Sequence, residues 1–238
     1  MKMSKFAVIF ALLFSCFVQQ PLFAASSQLQ LDSVDIDLSD KASLQRGART
    51  FMNYCLSCHS AAYMRYNRMG KDLGLTDEQV KESLMFASDK IGETMTIAMR
   101  SEDAKKWFGA VPPDLSVISR ARGTDWLYTY FRSFYLDDSK IMGSNNLTFK
   151  DVGMPHVLWQ KQGYLQKSDD GHLATASKGD MTVDEYDLMT RDLVNFLAYI
   201  GEPSKIQRLA LGKWVLIYLA LFFFVAYAMK KAFWEDIH

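Results

Sequence analysis

What the chain lacks narrows its function first. Its 27 basic and 27 acidic residues leave no net charge, so the electrostatic footprint of a nucleic-acid-binding protein is missing. No internal repeat or low-complexity tract is present, and no alternating strand pattern runs for more than a few residues, which leaves a helical reading. The first 24 residues contain no arginine, which speaks against an organellar transit peptide. Cysteine is scarce, with only Cys16, Cys55 and Cys58.

What is present falls into regions. Lys2 and Lys5 precede the apolar run "FAVIFALLFSCFV", and small residues follow near Ala24; residues 1–24 therefore read as a bacterial export signal. Removing it takes Cys16 away and leaves one closely spaced cysteine pair in a disulfide-permissive compartment. A second apolar run, residues 209–229, is interrupted only by Lys213, and at about 1.5 Å per residue its 21 residues reach across a bilayer. The reading is a membrane-spanning helix over 206–230, with Trp214 and Trp234 at its two interfaces. Lys230 and Lys231 follow it, so the positive-inside rule assigns the short tail, 231–238, to the cytoplasm. Residues 25–205 then form a periplasmic domain on the bacterial inner membrane. With 21 basic against 25 acidic side chains, its net charge is −4. Overall, 49% of residues are hydrophobic and 13% aromatic, enough for a packed core.

Within this domain helical patterns prevail. "SDKASLQRGARTFMNYC" places Leu44, Ala48, Phe51 and Cys55 on one helix face behind an Asp40 cap. Gly47 inside it is equally a close helix contact or a tolerated surface glycine. Capping boxes are predicted at Thr76 with Gln79 and at Thr182 with Glu185, the first with a Leu75 and Val80 staple. A helix capped by Thr124 is expected to carry Trp126, Tyr130 and Phe134, and the helix after Thr182 to stop at Gly201 and Pro203. Segments 107–116, 137–157 and 161–180 read as loops.

The chemistry sits in "NYCLSCHSAA". A redox-active pair needs a strand-then-helix setting, whereas here a helix precedes the cysteines. Zinc would need ligands gathered from distant loops, since only Cys55, Cys58, His59, His156 and His172 are offered. C-x-x-C-H is instead the attachment signature of c-type haem. Two thiols about one helical turn apart each reach one vinyl group of the macrocycle, and the adjacent His59 supplies a proximal ligand.

A sixth ligand would come from farther along. A thioether is soft, favours Fe(II) and raises the reduction potential, and two methionines lie in glycine-punctuated loops: Met142 in "KIMGSNN" and Met154 in "VGMPHV". Met154 is the better placed, because Gly153 permits close approach and Pro155 stiffens the loop; His156 is the rival, otherwise a solvated loop histidine. Arg120 and Arg122 in "PPDLSVISRARG" read on their own as a solvated basic turn, although guanidinium also suits haem propionates.

The ordered set "RGARTFMNYCLSCHS", "GAVPPDLSVISRAR", "VGMPHVLW", "DLVNFLAYIGEP" and a single C-terminal span resembles the bacterial cytochrome c1 family, over nearly all of the exported chain. The resemblance implies a mainly α, cytochrome c-type haem domain with long loops and one C-terminal membrane anchor. It implies one covalent haem c on Cys55 and Cys58, His59 and Met154 as iron ligands, Pro112 and Pro113 against the haem, and Arg122 at a propionate. Trp126 stands where many relatives have tyrosine, and "SKIMGSNN" departs from the commoner form of that loop. The implied function is electron transfer without bond chemistry of its own, within the cytochrome bc1 complex. The electron would come from the Rieske iron-sulfur protein and pass to a soluble or membrane-bound cytochrome c, while cytochrome b oxidises ubiquinol in a complex expected to be dimeric. An alternative is a membrane-anchored cytochrome c donating to a terminal oxidase, and a haem peroxidase or a thiol oxidoreductase are rivals of a different class. The domain's net charge of −4 is compatible with docking a basic cytochrome c, while Asp184, Glu185 and Asp187 read by default as a solvated acidic helix face.

Overall fold

The computed structural model describes residues 30–235; the expected export signal, 1–24, and the last residues of the tail, 236–238, lie outside them. In chain order the helices are α1 (Lys41–Tyr54), α2 (Tyr66–Leu73), α3 (Asp77–Ser83), α4 (Ser101–Phe108), α5 (Ile118–Arg122), α6 (Thr124–Arg132), α7 (Trp159–Gln162), α8 (Val183–Gly201) and α9 (Lys205–Phe233). Three antiparallel two-stranded ribbons join them: β1 (Ala61–Arg65) with β2 (Thr94–Met95), β3 (Phe134–Leu136) with β4 (Ser144–Asn146), and β5 (Gly163–Lys167) with β6 (Leu173–Lys178). About half of the described residues are helical, in keeping with the expected mainly α class.

The core forms where α1 and α8 cross. Asp40 caps α1 by accepting the Ser43 amide at 3.0 Å, and the Thr182/Glu185 capping box starts α8. Leu44, Ala48 and Phe51 of α1 pack against Leu193, Phe196 and Leu197 of α8, with the two phenylalanine rings 5.5 Å apart. Gly47 lies at the crossing. A Cβ there would press into the carbonyl oxygen of Asp192 and come within 2.7 Å of the Phe196 Cβ, so the close-contact alternative is the one realised.

That close approach also buries a charge. Asp192 is 1% exposed, yet its carboxylate accepts from Ser43 Oγ at 2.6 Å, Arg46 Nε at 2.5 Å and Arg46 Nη2 at 3.1 Å. Asn195 joins the set by donating to Ser43 Oγ and to the Asp37 carbonyl, at 2.9 and 2.8 Å. A buried carboxylate is tolerated only when its lone pairs are filled in this way.

Other elements attach to α8. Ser119 Oγ on α5 donates to the Leu197 carbonyl at 3.0 Å, Tyr186 Oη donates to the Phe131 carbonyl at 2.8 Å, and Arg132 grips Asp187 through two nitrogens at 2.6 and 3.0 Å. Two expectations need correction here. Thr124 makes no side-chain cap, since it is the first helical residue behind Gly123; Asp125 instead accepts the Val34 amide at 2.9 Å. And α6 ends at Arg132, so Phe134 stays buried as the first residue of β3 rather than on the helix.

Segment 161–180, read as a loop, holds the β5–β6 hairpin. Its register runs from Gly163 opposite Lys178 to Lys167 opposite Leu173, and its turn closes through Gly171 at φ +89°. Most of β6 is exposed, so there is no buried face to imprint alternation on the sequence. Helix α9 runs for 29 residues and buries no residue of its own against the other described residues. An apolar helix without a polar face suits lipid as its solvent.

Candidate functional site

The last turn of α1 carries the chain into the cysteines. The Cys55 and Leu56 amides both donate to the Phe51 carbonyl, at 2.9 and 3.0 Å, and those of Cys58 and His59 both return to the Cys55 carbonyl, at 3.0 and 2.8 Å. This single turn sets the two thiols on one local scaffold: Cys55 buried, Cys58 half-buried, both free. Burial, with Cys58 adding to it, pushes the Cys55 thiol up to about 12. A redox-active pair has a depressed thiol instead, so the thiol-oxidoreductase reading finds no support.

His59 is held from across the fold. Its Nδ1 lies 2.7 Å from the carbonyl oxygen of Pro113. A carbonyl can only accept, so this bond assigns the proton to Nδ1 and leaves Nε2 with a free lone pair. Burial lowers the His59 pKa, with the Pro113 carbonyl and Asp114 acting the other way, which favours the neutral imidazole a metal needs. Pro113 is itself pinned by a ladder between its segment and the chain after His59. Leu115 N donates to the Ser60 carbonyl at 2.8 Å, Ala62 N to Asp114 Oδ2 at 2.9 Å, and Tyr63 N to Ser116 Oγ at 3.1 Å.

Met154 sits on a loop built by two buried asparagines. Asn146 Oδ1 accepts from the Thr148 and Phe149 amides at 2.8 and 3.0 Å, while its Nδ2 donates to the Tyr130 carbonyl at 2.7 Å. Asn145 Oδ1 accepts from the Asp151 amide at 2.8 Å. The Met154 side chain packs against the core, and the Tyr130 hydroxyl donates to its sulfur at 3.2 Å. Met142, by contrast, lies half-buried in the turn between β3 and β4 and takes no part in the core cluster. We expect Asn146→Ala to cost about 2–3 kcal/mol, the penalty of leaving buried donors and acceptors unmatched, and to broaden the spectroscopic signature of any ligand on this loop. Thermal unfolding and the visible spectrum check it.

His156, read as a rival ligand or else a solvated loop residue, is not solvated. It is buried, stacked on Phe134 with rings 5.0 Å apart and 5° from parallel, and burial pushes its pKa down to about 4, with the nearby Gln162 side chain and Gly163 backbone acting weakly the other way; its Nε2 has no hydrogen-bond partner among the described residues. The two arginines separate. Arg120 lies 3.9 Å from Glu202, whereas Arg122 has no carboxylate partner among the described residues and stacks over Trp126 and Phe149, at 5.1 and 5.6 Å. Trp126 in turn stacks on Tyr130 at 5.0 Å.

Thus His59 is joined to Pro113, and Arg122 is connected to Met154 through Trp126 and Tyr130. Among the described residues no three His, Cys, Asp or Glu side chains converge as a zinc site would require. The acidic helix face is largely committed inside the chain, Glu185 to the capping box and Asp187 to Arg132. Sequence reasoning placed Tyr130 on a helix without a role for its hydroxyl and missed the loop-building role of Asn145 and Asn146; the one signal was their place in the unusual "SKIMGSNN".

The model of the Cytochrome C1 family matches residues 35–237. The chain belongs to the cytochrome c1 family. The cytochrome c1 of Allochromatium vinosum is 46% identical over 228 residues, covering 91% of this chain and 93% of that one. A Nitrosomonas europaea protein named ammonia monooxygenase gamma subunit is also 46% identical, over the full length of both chains. The cytochrome c1 of Rhodospirillum rubrum is 24% identical over 83% of each. Among solved structures, a chain of a hyperthermophilic respiratory Complex III aligns over 98% of both chains with a TM-score of 0.44 and 14% identity. Cytochrome c1 proteins carry covalently bound haem c, and membership gives this chain that cofactor, a place as a redox subunit of the cytochrome bc1 complex, and an electron-transfer role there. Its apolar C-terminal helix fits a membrane-anchored cytochrome c1.

Proposed function

We propose that Cys55 and Cys58 form the two thioethers to haem c, that His59 Nε2 and Met154 Sδ are its axial ligands, and that Arg122 serves a propionate. The observation that carries this reading is the 2.7 Å bond from His59 Nδ1 to the Pro113 carbonyl, which leaves one imidazole nitrogen free and aligned by a rigid segment. Free thiols one turn apart, a thioether on a structured loop and an arginine without a carboxylate partner fit the same group. When bound, the haem supplies a one-electron redox couple. The chain's residues hold it, keep His59 neutral and offer side chains to both axial positions, so no bond-making step falls to this subunit alone.

In this reading residues 1–24 are an export signal, 25–205 the periplasmic haem domain, 206–230 the span and 231–238 a cytoplasmic tail. Lys230 and Lys231 beyond the apolar run support that orientation in the bacterial inner membrane. The partners are cytochrome b and the Rieske protein in a dimeric complex, with a soluble or membrane-bound cytochrome c as acceptor. The name of the Nitrosomonas relative raises a monooxygenase assembly as a second reading. With His59 and Met154 both holding the iron, as proposed, no coordination position would be left for oxygen, which favours the carrier.

Covalent attachment is tested on denaturing gels stained for haem. The unsubstituted protein keeps its stain, Cys55→Ala with Cys58→Ala loses it, and each single variant retains one thioether and shifts the reduced spectrum. Stain retained in the double variant would overturn the assignment.

A further inference from the structure

Tyr130 makes an unusual bond. Its side chain is 8% exposed, and its hydroxyl donates to the Met154 sulfur at 3.2 Å. The buried hydroxyls of Tyr186 and Tyr199 are given oxygen acceptors, the Phe131 carbonyl at 2.8 Å and Asp72 at 2.9 Å. A thioether is a weak acceptor, so the same hydroxyl gains less here than it would from an oxygen. Packing leaves it little freedom to turn elsewhere. Trp126 stacks on the ring at 5.0 Å and 9°, while Phe131 and Phe134 meet it edge-on at 5.5 and 5.1 Å. Arg122 in turn lies over the Trp126 ring at 5.1 Å.

We infer that Tyr130 is a positioning residue for the Met154 thioether. A thioether sulfur has two lone pairs, and donation of the hydroxyl proton into one restricts rotation about the terminal bonds of the methionine while leaving the other for a metal. The bond also draws electron density from the sulfur, which weakens it as a donor to Fe(III) more than to Fe(II) and so raises the potential. The inference rests on Met154 being the distal ligand. It assigns Tyr130 a part in setting that ligand's strength, where a packing role alone would need only the ring.

The test uses the full-length, haem-loaded protein in detergent. Tyr130→Phe keeps every ring contact and removes only the hydroxyl. Haem stays attached and the red absorption band of methionine-ligated ferric haem persists, while the equilibrium constant for reduction falls about threefold to tenfold, the effect of one hydrogen bond felt unequally by two oxidation states. In a Met154→His background no sulfur remains to receive the bond, and the same substitution changes that constant less than about twofold, the two residues being coupled. An unchanged potential in Tyr130→Phe, or an equal shift in both backgrounds, overturns the inference. Failure of the underlying ligand assignment shows differently: Met154→Leu would then leave both the red band and the potential untouched. Should Tyr130→Phe not accumulate, the unsubstituted protein fully exchanged into heavy water decides, since deuteration of a hydroxyl bonded to sulfur shifts the iron–sulfur stretching band and its constancy contradicts the bond.

Discussion

Met154→Leu retains covalent haem and lowers its midpoint potential by on the order of 0.1 V or more, within the roughly 0.8 V over which axial ligands set haem potentials. The thioether is a soft donor that stabilises Fe(II), and leucine fills a similar volume while offering no lone pair. At about 59 mV per tenfold, such a drop weakens reduction by roughly fiftyfold. Haem is expected to stay in place because the proposed thioethers to Cys55 and Cys58 would not depend on the distal side. Redox titration of the purified protein measures the change. An unchanged potential would pass the distal role to Met142 or His156, although the His156 ring is already committed to its stack on Phe134.

Gly47→Ala lowers stability by about 2–4 kcal/mol, against the gain of about 1 kcal/mol that alanine brings to an open helix position. The new methyl group would overlap the Asp192 carbonyl and crowd the Phe196 Cβ, both fixed by α8, so the helices must part. Parting them also loosens the hydrogen bonds of the buried Asp192 carboxylate, which adds to the loss. For a chain of this size the change corresponds to a fall in Tm of roughly 5–15 °C. Gly212→Ala, where a Cβ would meet nothing within 4 Å, serves as the control and leaves Tm unchanged or higher.

The parts of this molecule legible in sequence are those in which chemistry acts over short spans. Capping boxes at Thr76 and Thr182 lie within three residues, and both form as expected. The C-x-x-C-H spacing matches what one macrocycle requires, so the sequence groups Cys55, Cys58 and His59 together as the proposed haem-holding residues. Long-range partners left no such mark. The acceptor for His59 is a backbone carbonyl 54 residues away, and a carbonyl is the same on every residue. Nothing in the sequence marks Asp192, whose burial comes with the close approach of α1 at Gly47. The β5–β6 hairpin escaped notice because β6, exposed along most of its length, carries no alternation, and the four-residue spacing of Trp126, Tyr130 and Phe134 ran past the true end of α6 because Phe134 stays buried after the helix stops. The helical spacing placed Tyr130 without marking its hydroxyl, whose partner lies 24 residues away.

Isolation of the native protein from its own membranes in mild detergent tests the central claim most directly. A tag on this subunit should bring down a b-type cytochrome and an iron-sulfur protein in stable stoichiometry, and ubiquinol should reduce the c-type haem in that preparation. Recovery as a free monomer, or with oxidase or monooxygenase subunits and no quinol-driven reduction of the haem, would contradict it.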